Sequence, residues 1–236
     1  MHRRPDTVND TPSTHSQITR PKPTTVVFDL DGLIFNTEEI FLEATNQLLA
    51  PLGKKQTPEV VGQIMGQPSD VSTQILKDYH SLTDSVIEIR AQLDQHFDCV
   101  LDSILAFMPG FEELLQRLKQ ENIPRAICTS SSADYATNLI DRFGYLNEFE
   151  LIFGGDQIEN GKPAPDAYLK VAELLKIDPS TMLVLEDSEN GCRAAIAAGA
   201  FTVAVPASHN MGQSYENVDL IADTLSDPGI LTALGL

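Results

Sequence analysis

Basic residues and long apolar runs are both scarce in this 236-residue chain. It has 16 Lys and Arg against 34 Asp and Glu, which gives a formal net charge of −18 at pH 7. Such a charge repels phosphate backbones and anionic lipid, so we expect neither a nucleic-acid nor a membrane partner. No stretch approaches the roughly 18 uninterrupted apolar residues of a membrane-spanning helix. An anionic substrate would need a local cation, because the overall charge opposes its binding.

Cysteine is also scarce, with three residues far apart in the chain: Cys99, Cys128 and Cys192. Their number is odd and none forms a C-x-x-C pair, so we expect no disulfide framework and a reducing compartment. The basic pair near the N terminus is not followed by an apolar segment, so no export signal is indicated. We therefore predict a cytoplasmic protein, and we expect a monomer.

The remaining composition divides the chain into a tail and a folded part. Residues 1–23 are rich in Thr, Pro, Asn and Ser and poor in apolar residues, which predicts a disordered N-terminal tail. From residue 24 onward, short apolar runs that predict buried strands alternate with amphipathic helical patterns. These runs are 24–29, 125–129, 151–153, 182–185 and 201–205, with a weaker one at 220–222. The alternation predicts an α/β fold, a Rossmann-like parallel sheet with helices on both faces.

One long segment interrupts this alternation. Residues 37–107 contain no convincing strand pattern, and apolar residues recur at spacings of three and four along 86–104, as in helix bundles. The sequence therefore predicts a helical bundle over 37–107, inserted into an α/β core that consists of 24–36 and 108–236.

Polar residues follow the predicted strands where each strand ends. They are Asp29, Asp31, Thr129, Ser130, Glu186 and Asp187, with Lys162 in the loop after the third strand. The carboxyl ends of parallel strands meet at one edge of a sheet, where ligands bind. Clustered carboxylates are costly without a cation, and oxygen donors favour Mg²⁺. A lysine beside them suits a phosphate oxygen.

Four ordered segments at these strand ends resemble motifs of the haloacid dehalogenase superfamily. They are Phe28-Asp-Leu-Asp-Gly32, Thr129-Ser130, Lys162-Pro163 and Glu186-Asp187. The resemblance runs from about residue 24 to the C terminus, and the helical segment is similar to that family's helical cap. The branch that the chain resembles contains β-phosphoglucomutases, sugar-phosphate phosphatases and pseudouridine-5′-phosphatase-like proteins.

The resemblance implies a role for each of these residues. Asp29 would be the nucleophile that forms an aspartyl phosphate, and Asp31 would be the general acid and base. The family's Mg²⁺ would be held by the Asp29 carboxylate, the Asp31 backbone carbonyl, Asp187 and Glu186, the last directly or through water. The phosphoryl oxygens would be held by Thr129, Ser130 and Lys162.

The resulting expectation is a Mg²⁺-dependent phosphatase that hydrolyses a small phosphomonoester, such as a sugar or nucleoside phosphate. A β-phosphoglucomutase-like mutase is the alternative, although Phe41 stands where those relatives carry a histidine and residues 65–69 lack a basic side chain. Dehalogenation is disfavoured, because the relatives that cleave carbon–halogen bonds carry a tyrosine where Asp31 stands. A non-catalytic phosphoacceptor or binding protein is a third reading.

Two further expectations concern the predicted cap and its junction with the core. Asn36, three residues before Glu39, has the spacing of a helix N-cap. Polar residues of the cap and its junction would set specificity, and the candidates are Asn36, Gln63, Gln67 and Ser69.

Overall fold

The core of the protein is a parallel sheet of six strands. The computed structural model describes residues 20–64, 69–210 and 212–236. The strands are β1 (Thr25–Phe28), β2 (Arg125–Cys128), β3 (Leu151–Phe153), β4 (Met182–Glu186), β5 (Phe201–Ala204) and β6 (Leu220–Ile221). Their spatial order is β3-β2-β1-β4-β5-β6, and every pair is parallel. The predicted fold class is therefore confirmed, and β1 lies at the centre between β2 and β4.

The described residues form nine α-helices. Four follow β1 directly: α1 (Thr37–Leu49), α2 (Pro58–Ile64), α3 (Ser69–His80) and α4 (Val86–Ile104). The others are α5 (Phe111–Gln120), α6 (Ala133–Arg142), α7 (Asp166–Leu175), α8 (Glu189–Ala198) and α9 (Pro228–Ala233). None of the helices in the described ranges combines the length and the apolar character that a membrane crossing needs.

Helices cover both faces of the sheet because side chains along each strand alternate between the faces. Val26 and Phe28 of β1 pack on one face with residues of α5, α6 and α9. Val27 points to the other face, where it joins Tyr168 of α7 and Ala194 of α8. Continuous apolar runs are typical of strands buried on both faces, which explains why the sequence pattern revealed them.

The helical segment between β1 and α5 has a small core of its own. This core contains Leu49, Val60, Ile64, Leu76, Ile89 and Leu93. The ends of α1 and α4 nearest the sheet contribute Ile40, Ala44, Val100 and Leu101 to the main core instead. Ile104, which the predicted apolar stripe included, is 39% exposed, and Leu101 is buried near that end of the helix. The limits of 37–107 for the cap remain a prediction.

Asn36 is the N-cap residue of α1, at the position that its spacing predicted. Within the described residues its side chain accepts no hydrogen bond from a backbone amide of the first turn, although Asn36 Nδ2 donates to Glu39 Oε2 at 3.2 Å. Instead, Asn36 Oδ1 accepts from the Ala106 amide at 2.8 Å, and Asn36 Nδ2 donates to the Ile104 carbonyl at 3.0 Å. The side chain therefore joins the two chain segments that connect the helical segment to the sheet. Its oxygen is taken by the Ala106 amide and not by an amide of α1.

Most of the predicted tail and part of the predicted cap lie outside the described residues. Residues 1–19 lie outside the described residues, whereas Arg20 pairs with Asp219 at 2.5 Å. Gln67 also lies outside them, as does most of the 65–69 segment that lacks a basic residue.

Candidate active site

The sequence-predicted site residues lie together at the carboxyl edge of the three central strands. Asp29 follows β1, Thr129 follows β2, Glu186 ends β4, and Asp187 comes next. Lys162 reaches the same place from the loop between β3 and α7. Asp29, Thr129, Glu186 and Asp187 are all less than 8% exposed. The adjacency of β2, β1 and β4 in the sheet brings together residues that lie more than 150 positions apart in the chain.

Lys162 makes three hydrogen bonds at the centre of this cluster. Its ammonium donates to Asp29 Oδ1 at 2.5 Å, to Glu186 Oε1 at 2.7 Å and to the Cys128 carbonyl at 2.9 Å. Its side chain is 5% exposed. Burial alone would lower the pKa of Lys162, but the carboxylates of Asp29 and Glu186 raise that pKa well above its usual value. The lysine is therefore a fixed positive charge against Asp29.

The site contains three clustered carboxylates and one lysine. Asp29, Glu186 and Asp187 each offer a carboxylate oxygen, and these three atoms lie within 4.8 Å of one another. Burial is the main cause that raises the pKa of Asp29 well above its usual value; Lys162 opposes this shift, and the nearby carboxylates add to it. A buried group of hard oxygen ligands with net negative charge fits a divalent cation such as Mg²⁺.

The side chain of Asp31 has hydroxyl partners of its own. In the described structure its side chain does not belong to the acidic cluster. Its Oδ2 accepts from Ser131 Oγ at 2.7 Å and from Thr129 Oγ1 at 3.2 Å. Burial raises the pKa of Asp31, although these hydroxyl contacts oppose the shift. The Asp31 carboxylate is thus held by two hydroxyl groups, outside the cluster formed by Asp29, Glu186 and Asp187.

The two hydroxyl residues predicted to bind phosphate differ in exposure. Thr129 is 1% exposed, and its hydroxyl also accepts from the Ser131 amide at 3.0 Å. Ser130 is exposed at the same edge, and its backbone oxygen lies against Gly155. A Cβ added to Gly155 would lie 2.3 Å from that oxygen, so this loop packs closely only because residue 155 is glycine. Ser131, which was not predicted, binds Asp31 directly.

Several residues that support the acidic cluster were not predicted from the sequence. Tyr168 donates to Glu186 Oε1 at 2.6 Å, and Asn210 donates to Asp187 Oδ2 at 3.2 Å. The Tyr215 hydroxyl donates to the Asp187 backbone carbonyl at 2.6 Å. These residues come from α7 and from the region after β5, where the sequence carries no recognisable motif. Ser188 does cap α8, as its position suggested, because its Oγ accepts from the Gly191 amide at 3.1 Å.

An aromatic contact joins the helical segment to α6. Tyr135, in the first turn of α6, is partly buried, and its ring lies 6.5 Å from that of Phe97 on α4. Burial is the main cause that raises the pKa of Tyr135, and the charges of Asp31 and Glu38 add to it. Tyr135 therefore lies near Asp31 and joins α6 to the helical segment.

Comparisons with known proteins agree with this geometry. Residues 26–205 match the family of haloacid dehalogenase-like hydrolases. The chain is 33% identical to a phosphorylated carbohydrates phosphatase of Thermotoga maritima over 174 residues, which cover 74% of this chain and 81% of that protein. It is 31% identical to a probable pseudouridine-5′-phosphatase of Drosophila melanogaster, with coverage of 87% and 91%.

A solved structure shares the architecture as well. CbbY from Rhodobacter sphaeroides in complex with phosphate superposes with a TM-score of 0.74 at 25% identity, and the match covers 91% of this chain and all of that one. The family match spans most of the chain and includes every residue of the predicted site. The chain belongs to the haloacid dehalogenase-like hydrolase family.

Proposed function

We propose that this hydrolase is a Mg²⁺-dependent phosphatase that cleaves a small phosphomonoester through an aspartyl phosphate on Asp29. The observation that carries the proposal is the buried group of Asp29, Glu186 and Asp187. Lys162 forms hydrogen-bonded ion pairs with Asp29 and Glu186 in this group. Such a group holds several charges in fixed positions away from water. Phosphoryl transfer is catalysed mainly by positioning and charge stabilisation, which this arrangement supplies.

Two carboxylates divide the proposed chemistry. A carboxylate oxygen of Asp29 attacks phosphorus, and the bond from phosphorus to the leaving oxygen breaks. Asp31 gives its proton to that oxygen, so the product leaves as a neutral alcohol. Asp31 then takes a proton from a water molecule, whose oxygen attacks phosphorus and releases Asp29 and inorganic phosphate. The hydrogen bonds from Ser131 and Thr129 support this role, because they hold the Asp31 carboxylate in place.

The other residues would hold the phosphoryl group and the metal. Lys162, Thr129 and Ser130 would donate to phosphoryl oxygens, and Lys162 would also lower the repulsion between Asp29 and an incoming anion. Mg²⁺ would be held by Asp29, Asp187, Glu186 and the Asp31 backbone carbonyl, and it would supply positive charge to the transferring group. Without a cation, the three buried carboxylates would repel an anionic substrate.

The substrate that we propose is a small phosphorylated metabolite of the sugar or nucleoside phosphate class. The names of the two relatives support this class, since one acts on phosphorylated carbohydrates and the other is a probable pseudouridine-5′-phosphatase. We further propose that the enzyme acts in the cytoplasm as a monomer.

A phosphosugar mutase is the second candidate, because the chain resembles that branch too. The residue at position 41 favours hydrolysis over the mutase reaction, because Phe41 stands where the mutases carry a histidine. Phe41 is partly buried and packs against the separate core of the helical segment. It is an apolar side chain and offers no acid–base group.

The test is a screen of sugar and nucleoside monophosphates with purified protein, with Mg²⁺ and with EDTA, in which released phosphate is measured. We expect Mg²⁺-dependent release from at least one compound, and we expect Asp29→Asn to abolish it while the circular dichroism spectrum stays unchanged. Full release in EDTA would contradict the metal assignment, and retained turnover in Asp29→Asn would contradict the nucleophile. Isomerisation of glucose 1-phosphate faster than phosphate release would show instead that the enzyme is a phosphosugar mutase. A stable phosphoprotein without turnover would establish a phosphoacceptor.

A further inference from the structure

Tyr168 lies beneath the site and has no part in the chemistry proposed above. It belongs to α7 and is completely buried in the core on that face of the sheet. Its hydroxyl donates to Glu186 Oε1 at 2.6 Å, and Lys162 Nζ lies 5.1 Å from the centre of its ring. A buried tyrosine needs a hydrogen-bond partner, but a backbone carbonyl would satisfy it equally well. Here the partner is the carboxylate oxygen that also holds Lys162.

Both oxygens of the Glu186 carboxylate accept hydrogen bonds from side chains. Oε1 accepts from both Tyr168 and Lys162, and Oε2 accepts from Ser188 Oγ at 3.1 Å. The backbone of Gly191 completes this enclosure, since a Cβ added there would lie 1.9–2.1 Å from the carboxylate atoms. We call this enclosure, formed by Tyr168, Ser188 and Gly191, the Glu186 cradle.

The cradle connects a buried residue to the reacting atoms. Glu186 is 0% exposed, and it holds Lys162, which in turn holds Asp29. Without the Tyr168 hydroxyl, Oε1 would keep only the lysine, and the carboxylate could rotate toward it. Lys162 and the ligand oxygen of Glu186 would then both move from their positions relative to Asp29. Residues that orient metal ligands in this way commonly change metal affinity or activity by about 10- to 100-fold when they are altered.

We propose that Tyr168 is a positioning residue, which acts through Glu186 to hold Lys162 and the metal-binding carboxylates in their reactive arrangement. The inference rests on the proposed function, because it assigns a purpose to residues that serve the same site. It goes beyond that function in assigning a role to a side chain that is not among the residues proposed to hold the phosphoryl group or the metal.

The experiment compares Tyr168→Phe with Tyr145→Phe in the full chain. Tyr145 is a matched control, because its hydroxyl also donates to a carboxylate, Glu112 Oε1 at 3.0 Å, on the opposite face of the sheet. Mg²⁺ is titrated into EDTA-treated protein, and its apparent Kd is taken from the midpoint of thermal unfolding, which requires no turnover. The kcat and KM for the best substrate of the screen are measured alongside.

We expect Tyr168→Phe to weaken Mg²⁺ binding and to lower kcat, each by about tenfold or more, with a smaller change in KM. Tyr145→Phe should leave all three values within about twofold of the wild type, since it lies outside the site. A folded Tyr168→Phe variant that keeps both Mg²⁺ affinity and kcat would overturn the proposal, even if its unfolding midpoint fell. That result would leave Tyr168 as a packing residue.

Gly191→Ala keeps the proposal testable if Tyr168→Phe does not fold. The added methyl group displaces the same carboxylate from the other side of the cradle, and alanine favours the helix by about 1 kcal/mol relative to glycine. It should weaken Mg²⁺ binding and lower kcat in the same way, and unchanged values would overturn the proposal. The proposed function fails separately if the wild type releases no phosphate from any compound, because the Mg²⁺ titration tests the cradle without a substrate.

Discussion

Replacing Lys162 with methionine tests the charge balance of the site, because methionine keeps most of the side-chain volume and removes the ammonium. The buried carboxylates of Asp29 and Glu186 then lose their common cation. Breaking a buried ion pair by removing one partner costs about 3–5 kcal/mol, since the remaining charge is left uncompensated. In a domain of this size, 1 kcal/mol shifts the unfolding midpoint by about 2–4 °C. We therefore expect the midpoint of Lys162→Met in EDTA to fall by about 6–20 °C.

The same variant should respond more strongly to Mg²⁺ than the wild type does. A divalent cation bound among Asp29, Glu186 and Asp187 would replace part of the charge that the lysine supplied, so its binding should be tighter in the variant. A ligand at 100 times its Kd stabilises the folded state by about 2.7 kcal/mol, which is easily measured. Saturating Mg²⁺ should therefore raise the midpoint of Lys162→Met more than that of the wild type, although the variant should hydrolyse no substrate.

Lys170→Met is the matched control for this experiment. Lys170 lies on α7 and pairs with Glu173, but both side chains are exposed to solvent. Pairs of this kind contribute about 0–1 kcal/mol, so its midpoint should stay within a few degrees of the wild type. If Lys162→Met in EDTA were as stable as Lys170→Met, or if Mg²⁺ raised its midpoint no more than that of the wild type, the electrostatic description of the site would be wrong.

Three other substitutions test separate parts of the structure. Asp31→Asn should lower kcat by about 10²- to 10⁴-fold, because the leaving oxygen loses its proton donor, and unchanged steady-state kinetics would refute the acid–base role. Asn36→Ala removes two hydrogen bonds between the connecting segments, so hydrogen exchange at the Ala106 amide should accelerate; unchanged exchange there would show that Asn36 does not join them. Gly110→Ala should lower the unfolding midpoint much more than Gly53→Ala. Both glycines have positive φ, but only a Cβ at Gly110 would collide, at 2.3 Å from the Ser226 amide; equal midpoints would contradict this packing.

The sheet and the main site residues could be predicted because both leave local patterns. Strands buried on both faces appear as continuous apolar runs, and β1 is followed at once by Asp29 and Asp31. A parallel sheet then brings the ends of its strands together, whatever the intervening chain does. The position of Lys162 near Asp29 followed from the motif order, although the sequence could not show that Lys162 also binds Glu186 and the Cys128 carbonyl.

The residues that the sequence did not reveal depend on distant contacts. Tyr168 has the ordinary spacing of a core residue on α7, and its hydroxyl acquires a role only because β4 places Glu186 beside it. Asn36 has the spacing of an N-cap residue and occupies that position, but the sequence could not show that its side chain also binds the chain that returns after α4. Helical periodicity also placed Ile104 inside, because periodicity alone does not show where a helix leaves the core.

Chemical identification of the phosphorylated residue tests most directly whether Asp29 is the nucleophile. Wild-type protein is mixed with substrate and Mg²⁺, quenched in acid after milliseconds, and digested, and the phosphorylated peptide is located by mass spectrometry. We predict phosphate on Asp29, with no such peptide in EDTA or in Asp29→Asn. Phosphate on another residue, or turnover with Mg²⁺ that never yields a phosphorylated peptide, would contradict this prediction.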